Sequence, residues 1–127
     1  MAGNLSNYLE NKLLDHFLGT TSYTMPTPVY VGLYTVAPSD SSAGTEVTGG
    51  SYARQTATFS AASSGATSNA ANIDFTNMPS ATVVAIGISD ALTSGNLLVW
   101  GTLTANKSLD AGDTLRIATG DLDISID

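Results

Sequence analysis

Few side chains in this 127-residue chain could do chemistry: one histidine, four cations, eleven carboxylates and no cysteine. Nucleophilic catalysis needs a hydroxyl or thiol held by a base. His16 sits on the polar side of a helical repeat, and no G-x-S-x-G elbow is present, so it reads as a solvated side chain. Asp110 with Asp113, and Asp121 with Asp123, offer hard oxygens, but their spacing is not that of a calcium loop. They read as turn and surface groups. Glycoside hydrolysis would need two carboxylates about 5–9.5 Å apart across a cleft, and nothing places such a pair among aromatic residues. Gly44, Gly49 and Gly50 lack the lysine and helix of a phosphate loop. Without cysteine there is neither disulfide nor thiolate metal site. The expectation is a protein that is not an enzyme and uses no cofactor or metal.

Composition narrows the partners. Charged residues make up 12% of the chain, about half the usual share, and Ala, Ser, Thr and Gly replace them. A formal charge of −7 repels a polyphosphate backbone, which binds through clustered Lys and Arg, so no nucleic-acid partner is expected. No run approaches the ~20 apolar residues of a membrane span, and Glu10, Lys12, Asp15 and His16 break any signal-peptide core. The chain is expected to be soluble and unprocessed, without a membrane partner, and to form a single domain over residues 1–127.

The elements that must position these residues follow from periodicity. Leu5, Leu9, Leu13 and Phe17, with Tyr8, Leu14 and Leu18, recur at helical spacing, which predicts an amphipathic helix over residues 4–19. Ser6 or Asn7 can cap it, Asn7 with Glu10 having capping-box spacing, and Gly19 can stop it. The apolar stripe covers either the domain's own core or a neighbouring subunit.

From residue 28 to 127 the period is two. Residues 28–36 read as a central strand, 37–50 as an exposed loop, 52–61 as a half-buried strand whose core face holds small residues, and 63–72 as a polar stretch. Residues 73–75 form a short strand. Residues 81–89 are nearly all apolar, as in a strand buried in mid-sheet. Residues 97–104 pair with them around Ser94, Gly95 and Asn96. After a turn over residues 110–113, residues 114–118 and 122–126 are expected to form a last hairpin around residues 119–121, with Leu122, Ile124 and Ile126 facing in. The fold expected is mainly β: an antiparallel β-sandwich, jelly-roll-like, of seven or eight short strands with one N-terminal helix.

Arg54 is the most informative cation, in a strand after two glycines and a tyrosine. It serves either an internal salt bridge or a partner contact. The loop over residues 37–50 is long for a compact domain, which favours a contact role. Tyr23, Asp40, Glu46 and Arg54 are the candidate interaction residues. Trp100, with Tyr23, Tyr30 and Tyr34, reads as core or rim rather than as a sugar-stacking platform.

Several segments carry a resemblance: residues 4–19, Val29-Tyr-Val-Gly-Leu-Tyr-Thr35, Gly50-Ser-Tyr-Ala-Arg-Gln55, Thr58-Phe-Ser-Ala-Ala62, Asn96-Leu-Leu-Val-Trp-Gly-Thr-Leu-Thr104, Asp110-Ala-Gly-Asp-Thr-Leu-Arg-Ile117 and Leu122-Asp-Ile-Ser-Ile126. Together they resemble a family of small tailed-bacteriophage virion proteins, described as tail fibre or minor structural proteins. Gly32 stands where that pattern leads one to expect alanine. The resemblance implies a structural role without catalytic motif. Long fibres are repetitive and extended, whereas this chain lacks repeats. The reading favoured is therefore a capsid decoration, or cement, protein on the outer surface of the capsid. Its partners would be the major capsid protein and itself, as a homotrimer. The alternative is a tail-fibre or tail-tip component contacting the host surface.

Overall fold

A computed structural model describes residues 4–126. The fold is mainly β, with ten strands, all pairing antiparallel, and one helix. The N-terminus opens as a short strand, β1 (Asn4–Leu5), and not as helix. It pairs with Trp100 and Val99. Helix α1 then spans Asn7–Phe17. Ser6 is its cap: Ser6 Oγ accepts from the Leu9 N–H at 3.2 Å and donates to the Leu97 carbonyl at 2.6 Å. Asn7 lies inside the helix, so the Asn7–Glu10 capping box is not the device used. At the other end Gly19 has φ +84°, and the Thr20 and Gly19 N–H groups donate to the Asp15 and His16 carbonyls. This is the Schellman closure that a C-terminal glycine allows.

The main sheet contains β2 (Val29–Val36), β3 (Thr45–Glu46), β4 (Gln55–Ala57), β7 (Ala81–Ser89) and β8 (Leu97–Leu109), in the order β1-β8-β7-β2-β3, with β4 also on β2. The expected central strands are central, since β7 pairs with β2 on one side and β8 on the other. Strand β8 runs five residues beyond the expected end at 104 and resumes pairing after an irregularity. The expected strand over 52–61 shortens to β4, and the loop over 37–50 contains β3 and the buried Val47.

Two ribbons complete the fold: β6 (Ile73–Phe75) with β9 (Leu115–Ile117), and β5 (Ala66–Ser68) with β10 (Asp123–Ser125). The expected final hairpin is therefore not formed. Each of its halves pairs with an earlier strand, because Asn69 closes the crossing. Its side chain donates to the Ala71 and Ala118 carbonyls and accepts from the Gly120 and Leu122 N–H groups, all at 2.9–3.1 Å. A four-fold satisfied, fully buried amide replaces a hairpin turn. Of the three apolar residues expected to face in, Leu122 is buried, Ile124 half-buried and Ile126 exposed.

One core joins the layers in a sandwich-like arrangement. Val31, Leu33, Val83, Ile86 and Ile88 of the sheet meet Ile73, Phe75, Ile117 and Leu122 from the ribbon side, and Leu9 brings the helix onto the same cluster. Asp74 and Arg116, directly opposed in the β6–β9 pair, form an exposed ion pair at 2.7 Å.

Candidate functional site

Strand β2 has a divided outer edge. Residues 29–31 pair with β4, and Tyr34 and Val36 pair with β3. The Leu33 N–H falls in the gap. A buried N–H must find an acceptor, and the Tyr52 hydroxyl supplies it at 2.9 Å. That hydroxyl donates in turn to Glu46 Oε2, while the Tyr52 ring stacks on Phe75 at 6.0 Å. Arg54 completes the cluster, with Nε 3.0 Å from Glu46 Oε2 and Nη2 2.9 Å from Oε1. Its Nη1 donates to the Ala91 and Ser94 carbonyls at 2.8 and 2.9 Å.

The space for this cluster comes from Gly32, where a Cβ would lie 2.8 Å from Glu46 Oε2 and 3.2 Å from the Tyr52 oxygen. Electrostatics match the geometry. The Tyr52 hydroxyl is pushed far above the ordinary phenol range, first by burial and then by its bond to Glu46. Glu46 also raises the Arg54 guanidinium, mainly through the hydrogen bonds it accepts. Burial, followed by the Glu46 charge, raises Tyr34. Each of these groups is held in one protonation state near neutral pH, the reverse of what a general acid or base requires. The cluster pins the loop over residues 90–96 to the sheet.

The four expected interaction residues differ in exposure and in what they bond. Glu46 and Arg54 come together, and their side chains are only 24% and 11% exposed, so the internal salt bridge is what Arg54 makes. Asp40 is exposed, in a groove of about 230 Å³ with Ser6, Tyr8, Ser41 and Asn96. Tyr23 sits by the helix end, where its backbone N–H donates to His16 Nδ1 at 3.0 Å. Burial, then Tyr8 and Asp90, raise its hydroxyl. His16 is thus exposed but engaged in holding the chain that leaves the helix.

The remaining candidates take structural positions. Asp113 accepts the Asp110 N–H at 2.8 Å, as a turn residue does. No group of three His, Cys, Asp or Glu able to hold a metal occurs among the described residues. Trp100 and Tyr30 are half-buried and Tyr34 is buried. The Trp100 indole N–H is buried without a partner among the described residues.

The sequence reading missed Tyr52, whose aromatic body and polar tip suit an edge where a buried N–H needs an acceptor. It also left open which part of the helical stripe is covered. Leu9 is buried, and Leu5, Tyr8 and Leu13 pack against the core. Leu14, Phe17 and Leu18 remain exposed, as does Met25 beyond them.

A family model described as podophage GP4 fiber I protein gp80 matches residues 4–125. The chain belongs to this family. The match spans both the helix and all ten strands. The resemblance to phage tail-fibre and minor structural proteins holds, and the description of the family is that of a structural protein. No curated protein matches. No described helix is long and apolar enough to cross a membrane.

Proposed function

We propose that the protein is a non-catalytic structural module of the phage particle, belonging to its fibre apparatus and working through the surfaces it presents to neighbouring proteins. The observation that carries this reading is the fibre-family match over residues 4–125. The geometry of the Glu46–Tyr52–Arg54 cluster supports it, since these side chains are engaged with one another and with the Ala91 and Ser94 carbonyls and so brace a loop. The acidic balance, −7 overall, suits a protein working away from packaged DNA.

A second reading, decoration of the outer capsid surface, draws on a different observation: the described residues make a compact sandwich with an 11-residue helix and no shaft-forming repeat. In that reading the major capsid protein is the partner. A rigid module bound across capsomer joints, as a homotrimer, adds its binding free energy to the shell by linkage.

Quantitative densitometry of purified virions separates the two. A few to a few dozen copies per particle are expected for a fibre component, with gold-labelled antibody at the tail. Hundreds of copies and label around the head would replace the fibre reading by decoration. Absence from the particle would end both.

A further inference from the structure

The groove of about 230 Å³ that contains Asp40 runs between the loop over residues 39–43 and the segment over residues 95–97, with the start of α1 as its third side. Its rim is rich in hydroxyls and open to water: Ser39, Asp40, Ser41, Ser42 and Asn96 are all exposed. Tyr8, half-buried, supplies one aromatic ring, with the Lys12 ammonium 5.7 Å from its centroid. An adjoining recess of about 250 Å³ shares Ala43, Gly95 and Leu97 with the groove and reaches the buried Tyr34 and Ser89.

Both walls are held by bonds within the fold. Ser39 and Ser42 exchange backbone hydrogen bonds at 2.9 and 3.4 Å, and the Ser42 N–H also reaches Ser39 Oγ at 3.1 Å. Gly44 closes that loop at φ +65°, where a Cβ would lie 2.5 Å from the Val36 carbonyl oxygen. On the other side Asp90 accepts the Asn96 backbone N–H at 2.7 Å and its side-chain amide at 3.0 Å, and Arg54 holds the Ala91 and Ser94 carbonyls. A site fixed in advance loses little entropy when it binds.

Charge narrows the ligand. Glu46 is paired with Arg54, and the Asp90 carboxylate is occupied by Asn96. Asp40 makes no ion pair among the described residues. With its Nδ2 given to Asp90, Asn96 keeps its amide oxygen to accept. The rim therefore calls for a ligand that donates hydrogen bonds, and a chain of formal charge −7 repels an anionic one. A basic peptide would be drawn by several uncompensated acids, whereas the groove lining contains one carboxylate, Asp40.

We propose that this groove binds a neutral saccharide. Asp40 accepts from two adjacent ring hydroxyls, one on each carboxylate oxygen. Asn96 and the serines bond the remaining hydroxyls, and the Tyr8 ring lies against the apolar face of the sugar. The Glu46–Tyr52–Arg54 brace holds the loop that leads into the Asn96 wall. The site binds without cleaving, because hydrolysis needs a second carboxylate across the cleft.

The test is titration of the 15N-labelled chain with glucose, galactose, mannose, rhamnose and N-acetylglucosamine. Each is taken to about 50 mM, several times the millimolar dissociation constant expected of one sugar ring in an open groove. Glucuronic acid and trilysine serve as the anionic sugar and the basic peptide. At least one neutral sugar should move the amide signals of Ser41, Gly95 and Asn96 saturably, while those of β5 and β10 stay in place. Asp40→Ala should weaken that binding about tenfold. Ala43→Phe, which puts a ring into the groove from an exposed position, should abolish it, and Asp123→Ala on β10 should leave it unchanged. The methyl glycoside of the sugar that binds distinguishes two sources: equal affinity assigns a unit within a polysaccharide, and lost affinity a free sugar.

No shift at the groove with any of the neutral sugars overturns the proposal, and so does Asp40→Ala that binds as tightly as wild type. Shifts with glucuronic acid alone would refute the charge argument, and shifts with trilysine alone would reassign the groove to a basic peptide. If Ala43→Phe fails to fold, Asp40→Ala at its exposed loop position still decides the matter. The inference rests on the groove and not on a place in the virion, so failure of sugar binding leaves the fibre reading standing and a head location leaves the groove standing.

Discussion

At the scale of single residues, the cluster around Glu46 shows how one polar network stabilises a gap in a sheet. Arg54→Met keeps the packing of the stem but leaves Glu46 without its bidentate partner and the Ala91 and Ser94 carbonyls without their donor. Breaking a largely buried pair from one side is expected to cost about 2–3 kcal/mol, read as a lower urea midpoint, with faster amide exchange confined first to residues 90–96. Gly32→Ala places a methyl group against the Glu46 carboxylate. Because Tyr52 and Arg54 hold that carboxylate, the substitution should destabilise by about 1 kcal/mol, checked in the same urea titration. This is the physical reason for glycine where the family resemblance led one to expect alanine.

Tyr52 gives the pH dependence. Its folded pKa lies above the unfolded value near 10, so the folded state holds the proton more tightly. The stabilisation is complete below pH 10 and is lost as pH rises beyond it. Tyr34 and Tyr23 shift in the same direction. Tyr52→Phe should be less stable than wild type at pH 7, by about 1–2 kcal/mol for the lost bonds, yet lose less stability between pH 9 and 11. Thermal melts across that range check the slope. A steeper fall in the variant would place the alkaline sensitivity elsewhere.

Among the elements, the pairing of the last strands turns on Asn69. Three of its four hydrogen bonds hold Asn69 against residues 118–122, the region where a hairpin turn was expected. Asn69→Ala would leave the buried Leu122 N–H and the Ala71 carbonyl without their partner, while the Ala118 carbonyl keeps the Asp121 N–H and the Gly120 N–H keeps the residue-69 carbonyl. A loss of about 1–3 kcal/mol is expected, measured by guanidinium denaturation. Exchange protection should fall in β5 and β10 before it falls in β7. The short strands β5 and β10 were hidden in the sequence because three-residue strands of Ala, Thr, Ser and Asp carry too little apolar alternation to identify. Ser6 was legible as a possible cap, since its hydroxyl acts locally. That it also ties the helix to β8 through Leu97 was not.

For the whole molecule, the first strand closes the sheet from far away in the sequence: Asn4 and Leu5 pair with Trp100 and Val99. The ribbons likewise join segments forty or more residues apart. Loops of that length must be closed before their contacts contribute, so refolding is expected on the millisecond-to-second scale of non-local β proteins. Stopped-flow tryptophan fluorescence of Trp100 reports it directly, and a microsecond phase carrying the full amplitude would contradict this account.

The sequence by itself determined the mainly β character, the helix and the central strands β2 and β7, because periodicity is a local property. Only the tertiary structure decided that Arg54 belongs to an internal brace, that the chain's last strands pair with β5 and β6, and that Phe17 and Leu18 face solvent. Those outcomes depend on which distant backbone groups and surfaces arrive together. Nothing in the spacing along the chain encodes that encounter in readable form.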